Sequence, residues 1–143
     1  MGKANILVDS CFWIALYTPE KAETHSRALE LIDDLENNNI IIPWPTLYEF
    51  VNTRLARRKE NLFAFQQFLL KPNVRKISDE EYKKTALHNI FELNVSHQAS
   101  ISLIDEVLRL MLLDGNLRVD YLVTFNRSDF EYPCQLAKVI ILE

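Results

Sequence analysis

Four carboxylic acids and one amide occupy positions from which side chains could do chemistry together. Asp9 follows the first apolar run that is typical of a buried strand, and Glu49 comes shortly after the second. Asp105 opens the helix that leads into a later strand, and Asn126 and Asp129 follow that strand. Because the binding crevice of a parallel sheet lies beyond the carboxyl ends of its strands, we expect these five groups to meet at one edge.

A divalent metal ion is the partner that such a group of acids favours. Clustered carboxylates raise one another's pKa values unless cations offset their charge. Ligands that are all oxygen suit hard ions, so we predict Mg²⁺ or Mn²⁺. Zinc is disfavoured because His25, His88 and His97 are scattered along the chain. Acids and metal without a histidine base fit the hydrolysis of a phosphodiester bond.

Helix capping is the simpler explanation of the same acids, and the sequence leaves it open. Glu49 comes three residues after Thr46, and Asp105 three residues after Ser102, which is the spacing of a capping box. Asp9 could equally cap the helix that follows it. An acid in the first turn of a helix also suits the helix dipole.

Basic residues follow the helix that carries Glu49. Arg54, Arg57 and Arg58 could attract a polyanion such as RNA, or an acidic segment of a partner protein. Solvated cations at a helix end explain them equally well. The net charge of −4 argues against sequence-blind coating of DNA, and two glycines are too few for a Gly-rich phosphate loop.

Strands and helices alternate along the whole chain. The pattern predicts strands at 4–8, 40–43, 74–77, 120–124 and 137–142, and helices at 10–17, 20–36, 46–55, 61–70 and 78–93. A further helix is predicted to begin at Ser100 or Ser102 and to end at Leu113. Residues 125–135 are predicted to be a loop with at most one helical turn. This alternation favours an α/β fold with a parallel sheet and helices on both faces. The 143 residues suggest one domain, 1–143.

Composition bears on the cellular compartment. The two cysteines, Cys11 and Cys134, are far apart in sequence, and we predict reduced thiols in a cytoplasmic protein. No apolar run reaches the roughly 18 residues of a membrane helix, so no membrane partner is expected.

Four motifs, in order, resemble the PIN domain. These are VDSCFWIAL, PTLYEF, SLIDEVL and LVTFNRSDF, and the VapC-like toxin ribonucleases are the subgroup that they resemble most. The resemblance implies a three-layer α/β/α sandwich and an endoribonuclease that depends on Mg²⁺ or Mn²⁺. It also implies a homodimer and a cognate antitoxin, as in type II toxin–antitoxin pairs.

The resemblance also assigns roles to individual residues. Asp9, Glu49 and Asp105 match the metal-binding acids, and Ser10 matches the small hydroxyl residue that follows the first of them. In the last motif the matching residues are Thr124, Asn126, Asp129 and Phe130. Asn126 departs from the pattern where the family has an acid, and Asp129 is the residue expected to supply the missing charge, as a ligand of the same ion or of a second one.

Three alternatives accompany this interpretation. A PIN-like binding or scaffold domain with a decayed metal site is compatible with the neutral Asn126. A phosphatase of the haloacid dehalogenase type would need an acid two residues after Asp9, where Cys11 stands. A receiver-like phospho-acceptor domain would need an acid at the end of the third strand, which 74–78 lacks.

Overall fold

Five parallel strands form the sheet at the centre of the protein. The computed structural model describes residues 2–143. The strands are β1 (Asn5–Val8), β2 (Asn39–Pro43), β3 (Val74–Ile77), β4 (Tyr121–Val123) and β5 (Ile140–Leu142). Their order is β3-β2-β1-β4-β5, and every neighbouring pair is parallel. The prediction of an α/β fold with a parallel sheet is therefore confirmed.

Seven α-helices connect the strands. They are α1 (Ser10–Leu16), α2 (Ala22–Glu36), α3 (Trp44–Val51), α4 (Lys59–Leu69), α5 (Lys83–Phe91), α6 (Leu103–Leu113) and α7 (Arg127–Ala137). A 3-10 turn, Leu55–Arg57, precedes α4, and a π-helical turn, Glu92–Ser96, follows α5. None of the helices within residues 2–143 is long and apolar enough to cross a bilayer.

Both faces of the sheet are buried, because successive side chains of a strand point to opposite faces. Ile6 and Val8 belong to an apolar cluster that includes Phe12, Trp13 and Phe50. The side chain between them, Leu7, belongs to a second cluster with residues of α6 and α7. A strand with both faces buried is a continuous apolar run, which explains why the strands were recognisable. The structure shows a parallel sheet with two apolar clusters. It does not confirm the predicted three-layer sandwich.

Two predicted helix starts are wrong. α3 begins at Trp44, directly after β2, and the Thr46 hydroxyl lies inside its first turn and donates to the Pro43 carbonyl at 2.6 Å. Thr46 is therefore not the N-cap. α5 begins five residues after Ser78, whose hydroxyl accepts from the backbone N–H of Glu80 and shapes a local turn instead. A Ser or Thr side chain can stabilise either a turn or a helix start, so its spacing alone did not distinguish them.

The segment after β4 is also different from the prediction. A full helix, α7, replaces the predicted loop, although Pro133 lies inside it. Phe130, Pro133 and Cys134 of this helix are buried, and tertiary packing has overridden the helix-breaking tendency of proline. Cys11 and Cys134 are both free thiols, as predicted.

Candidate functional site

The site lies where the chain reverses its direction across the sheet. From β1 the chain proceeds outward to β2 and β3, and then returns to place β4 on the other side of β1. Such a switch point opens a crevice beyond the carboxyl ends of the two central strands. Asp9 directly follows β1, and Thr124 directly follows β4. Asp9 and Thr124 each follow the last residue of a strand, and those two strands are neighbours in the sheet. Together these two facts bring the side chains close to each other.

Asp9 is a buried carboxylate held by donors on both of its oxygens. Its Oδ1 accepts the backbone N–H of Ser10 at 2.8 Å, and its Oδ2 accepts the hydroxyl of Thr124 at 2.9 Å. Only 3% of the residue is exposed. Burial raises the pKa of Asp9, and the hydrogen bonds from Thr124, Cys11 and Ser10 partly oppose that rise. Asp9 therefore caps α1 and also presents a negative charge at the switch point.

Glu49 reaches the same place from α3. The Ser10 hydroxyl, at the start of α1, donates to a carboxylate oxygen of Glu49. Because α3 begins at Trp44, Glu49 lies in its second turn and is not the partner of a capping Thr46. Burial raises the pKa of Glu49, and the negative charges of Asp9 and Asp105 raise it further. The capping explanation that the sequence left open therefore does not hold for Glu49.

Asp105 is both a first-turn acid and a member of the group. Its backbone N–H donates to the Ser102 hydroxyl at 3.0 Å, so Ser102 caps α6. Burial raises the pKa of Asp105 to about 6, and the charges of Asp9 and Asp129 contribute to that rise. A carboxylate that only capped a helix would have its pKa lowered by the helix end, whereas burial first and the nearby acids second raise the pKa of Asp105.

The segment after β4 brings Asn126 and Asp129 to the edge of the group. The backbone N–H of Asn126 donates to the Thr124 hydroxyl at 3.0 Å, and the Asn126 side chain is exposed and caps nothing. Asp129 lies in the first turn of α7, close enough for its charge to act on Asp105. Thr124 thus links the loop to Asp9, since one hydroxyl donates to the carboxylate and accepts from the loop.

Cys11, two residues after Asp9, belongs to the site. Its Sγ lies 3.4 Å from Oδ2 of Asp9 and accepts the backbone N–H of Phe125 at 3.3 Å. Burial and the charge of Asp9 raise the pKa of Cys11 to about 12, so the thiol stays protonated near neutral pH. It can hold the loop after β4 against α1, but it is a poor nucleophile.

The donor set fits a hard divalent cation, although a finished metal cage is not present. Within residues 2–143, no three His, Cys, Asp or Glu side chains are arranged so that together they could hold a metal ion. The charges of Asp9, Glu49 and Asp105 nevertheless act on one another. Glu49 is an exposed side chain that can rotate, and carboxylate oxygens are the ligands that Mg²⁺ and Mn²⁺ prefer.

The predicted basic residues make no ion pair with the site acids within residues 2–143. Arg54, Arg57 and Arg58 are all exposed and occupy the segment between α3 and α4. They therefore remain available to an external anion, and their role stays a prediction.

Two charged residues of α6, Glu106 and Arg109, were not among the site residues predicted from the sequence. Glu106 is buried, accepts a hydrogen bond from Asn89 at 2.8 Å and lies 3.5 Å from Arg109. The guanidinium of Arg109 also reaches the first turn of α7, where it contacts the backbone of Asp129. The sequence did contain a signal for this pair, because Glu106 is a charged residue next to Asp105 in a helix whose other residues are mostly apolar.

The fold defines an α/β protein whose polar site lies at the switch point of a parallel sheet, and comparisons with known proteins extend this description. No protein-family model matches the chain, and no curated protein matches it in sequence. Solved structures do resemble it. One is VapBC2 from Rickettsia felis bound to a DNA fragment from their promoter, with TM-score 0.58 and 14% identity over 96% of this chain and 97% of the other. Another is FitAcB from Neisseria gonorrhoeae, with TM-score 0.58 and 16% identity over 96% of each chain.

These findings overturn the identification as a member of the VapC-like PIN-domain toxin family. No family model supports it, and the likeness to VapBC2 and FitAcB at 14% and 16% identity shows a shared fold alone. The motifs on which it rested are short, and each consists of an acid beside an apolar element. Asp9 and Asp105 show why such motifs are weak evidence of a family, because both acids also lie where any helix start favours them.

Proposed function

We propose that the protein is a divalent-metal-dependent endoribonuclease. The observation that supports this most strongly is the convergence of Asp9, Glu49 and Asp105, from three separate segments, on the switch point of the sheet. Their mutual repulsion is unfavourable without a cation, and hydrolysis of a phosphodiester is the reaction that an acid-only metal site suits. Asp129 adds a fourth negative charge at the edge of the group.

The residues of the site would have different roles in this reaction. Asp9, Asp105 and Glu49, with Asp129 nearby, would hold Mg²⁺ or Mn²⁺, which when bound polarises a phosphate oxygen and lowers the pKa of a bound water. The hydroxyl groups of Ser10 and Thr124 donate hydrogen bonds to Glu49 and Asp9. The amide of Asn126, which is exposed beside Thr124, is placed to orient the attacking water or the substrate.

Exposed aromatic residues on the helix that carries Glu49 favour single-stranded RNA as the substrate. Trp44 and Tyr48 lie on α3, the helix that carries Glu49, and are 39% and 66% exposed. Unpaired bases stack on such rings, and each stacked base contributes about 1–3 kcal/mol. Arg54, Arg57 and Arg58 at the end of the same helix would bind the phosphate backbone.

The solved structures that share the fold bear on the cellular context. VapBC2 and FitAcB are toxin–antitoxin complexes, and VapBC2 was crystallised with DNA from its promoter. We propose on this basis that the protein is one component of a toxin–antitoxin pair and binds a cognate partner protein. A homodimer and a cytoplasmic location are part of the same proposal.

A binding domain without a metal ion is the second candidate function. It is favoured by the finding that no three metal-ligating side chains within residues 2–143 form a ready cage. The neutral side chain of Asn126 agrees with it. In that case the acids would form a negative patch that recognises a basic segment of the partner protein.

Replacement of single acids tests the nuclease. We expect Asp9→Asn, Glu49→Gln and Asp105→Asn each to lower the rate of RNA cleavage in Mn²⁺ on the order of 100-fold, because each removes a charge that holds the ion. Asp33→Asn, which changes an exposed acid on α2, is the matched control and is expected to cleave like the wild type. Cleavage is measured on a labelled single-stranded RNA, with duplex DNA as the comparison substrate.

Calorimetric titration with Mn²⁺ separates the two candidates. The nuclease requires binding that is lost in Glu49→Gln, an exposed position where the substitution does not endanger the fold. Wild-type protein that binds no Mn²⁺ and cuts no RNA would reject the nuclease and leave the binding domain.

A further inference from the structure

Glu106 is a buried charge that the proposed reaction does not use. Its exposed fraction is 5%, and it is surrounded by the apolar residues of α6. Its carboxylate has two partners, the Asn89 amide at 2.8 Å and the Arg109 guanidinium at 3.5 Å. A buried carboxylate is costly, so its presence beside Arg109 points to a task for the arginine that apolar residues could not perform.

The second contact of Arg109 identifies that task. Its Nε donates to the backbone carbonyl of Asp129 at 3.0 Å. In a helix this carbonyl would accept the N–H of the residue four positions later, which is Pro133 and has no N–H. Proline inside α7 therefore leaves the Asp129 carbonyl without its helical donor, and Arg109 supplies the missing donor from α6.

We propose that Arg109 is a positioning residue of the site, which holds the Asp129-bearing turn of α7 against the Asp105-bearing helix α6. Glu106, itself fixed by Asn89, orients the guanidinium for this contact. The inference rests on the proposed nuclease function and adds a residue to it. Arg109 acts through Asp129, whose carboxylate lies near Asp105, and its own positive charge also acts on Asp105. It need not touch the substrate.

A general packing role for Arg109 is the competing explanation, and a rescue experiment separates the two. The double variant Glu106→Gln/Arg109→Met removes the clamp without leaving an unpaired buried charge. Adding Pro133→Ala to it gives position 133 an N–H, which can donate to the Asp129 carbonyl within the helix. If Arg109 positions this turn, the new hydrogen bond should restore what the double variant lost.

We expect the double variant to lower kcat for RNA cleavage about 10- to 100-fold with little change in KM, because a small misplacement of the acid affects chemistry more than binding. In the triple variant, kcat should rise again by at least about half of that loss, measured on a logarithmic scale. Arg127→Met, which breaks an exposed ion pair between α7 and Glu143, is the control and should cleave like the wild type. A double variant with wild-type kcat, or a triple variant without recovery, overturns the proposal.

Hydrogen exchange gives a readout that does not depend on cleavage. Amides 129–132, which follow the two unbonded amides at the start of α7, should exchange at least about tenfold faster in the double variant, and should be slowed again by Pro133→Ala, in the absence of metal and RNA. If the wild type cleaves no RNA, the nuclease proposal fails, and this measurement alone decides whether Arg109 holds the turn. Unchanged exchange in the double variant would show that it does not.

Discussion

Asp9 shows how one residue can satisfy two explanations that the sequence presented as alternatives. Its Oδ1 caps α1 through the N–H of Ser10, while its Oδ2 accepts the hydroxyl of Thr124 from the other side of the switch point. A carboxylate has lone pairs for about four hydrogen bonds, so capping leaves capacity for a further ligand. An acid at the end of a buried strand can therefore cap a helix and belong to a functional site at the same time.

Asp105 makes the stability of the protein depend on pH. Because its pKa is raised from 3.8 to about 6, the folded state binds the proton more tightly than the unfolded state does. The contribution is favourable below about pH 4 and is lost as the pH rises through 6. We expect Asp105→Asn to be more stable than the wild type at pH 8 by roughly 1 kcal/mol, since partial exposure screens a shift that would otherwise amount to about 3 kcal/mol.

Urea denaturation at several pH values in the absence of divalent ions measures this effect. The stability difference between Asp105→Asn and the wild type should shrink as the pH is lowered toward 4, and Asp33→Asn should show no such trend. An advantage that stayed constant with pH would mean that the raised pKa of Asp105 is not its cause.

At the scale of the element, Ser102 determines where α6 begins and therefore where Asp105 lies. The sequence left Ser100 and Ser102 as alternative starts, and the structure uses Ser102. We expect Ser102→Ala to lower the free energy of unfolding by about 1 kcal/mol, because the N–H of Asp105 loses its acceptor. Ser100→Ala, an exposed position outside the helix, is the matched control, and equal losses in both variants would contradict the assignment.

The error at α7 has an identifiable cause at the same scale. Pro133 and the polar residues before it favour a loop, and nothing local indicates that a donor on another helix replaces the missing N–H. Arg109 provides that donor from a position 20 residues earlier in the chain. Helix α7 was therefore not predictable from its own sequence, whereas β1 and β2 were, because both faces of those strands are buried.

At the scale of the whole molecule, the net charge of −4 must be reconciled with a polyanionic substrate. We expect the triple variant Arg54→Gln/Arg57→Gln/Arg58→Gln to weaken RNA binding and to reduce the dependence of log K on log salt by about 2, if each arginine contacts one phosphate of single-stranded RNA. RNA binding is measured by fluorescence anisotropy at salt concentrations between about 50 and 200 mM, a range wide enough to resolve such a slope.

A second triple variant separates a local patch from overall charge. Lys76→Gln/Lys84→Gln/Lys138→Gln removes the same number of positive charges at other exposed positions. It should bind RNA with the slope of the wild type. Equal weakening in both triple variants would show that only net charge matters.

The sequence by itself determined the class of the fold and the identity of the acids. Apolar runs of four or five residues predict buried parallel strands, and the segments between them have the apolar spacing of helices. Both patterns can be read locally, because each reflects which side chains of its own segment are buried. It also showed Asp9, Glu49 and Asp105 beside those segments. It also offered Ser102 as one of two candidate caps of α6, and the structure uses Ser102.

The sequence led us to expect that these acids meet at one edge, but only the tertiary structure decided which segments become neighbours, because strand order is a property of the whole chain. With β4 beside β1, the segments that carry Asp9 and Thr124 become neighbours although they are 115 residues apart. The same packing brings Arg109 to the carbonyl that Pro133 leaves without a donor. Local patterns report which faces are buried, whereas contacts between distant segments depend on how those faces pack together.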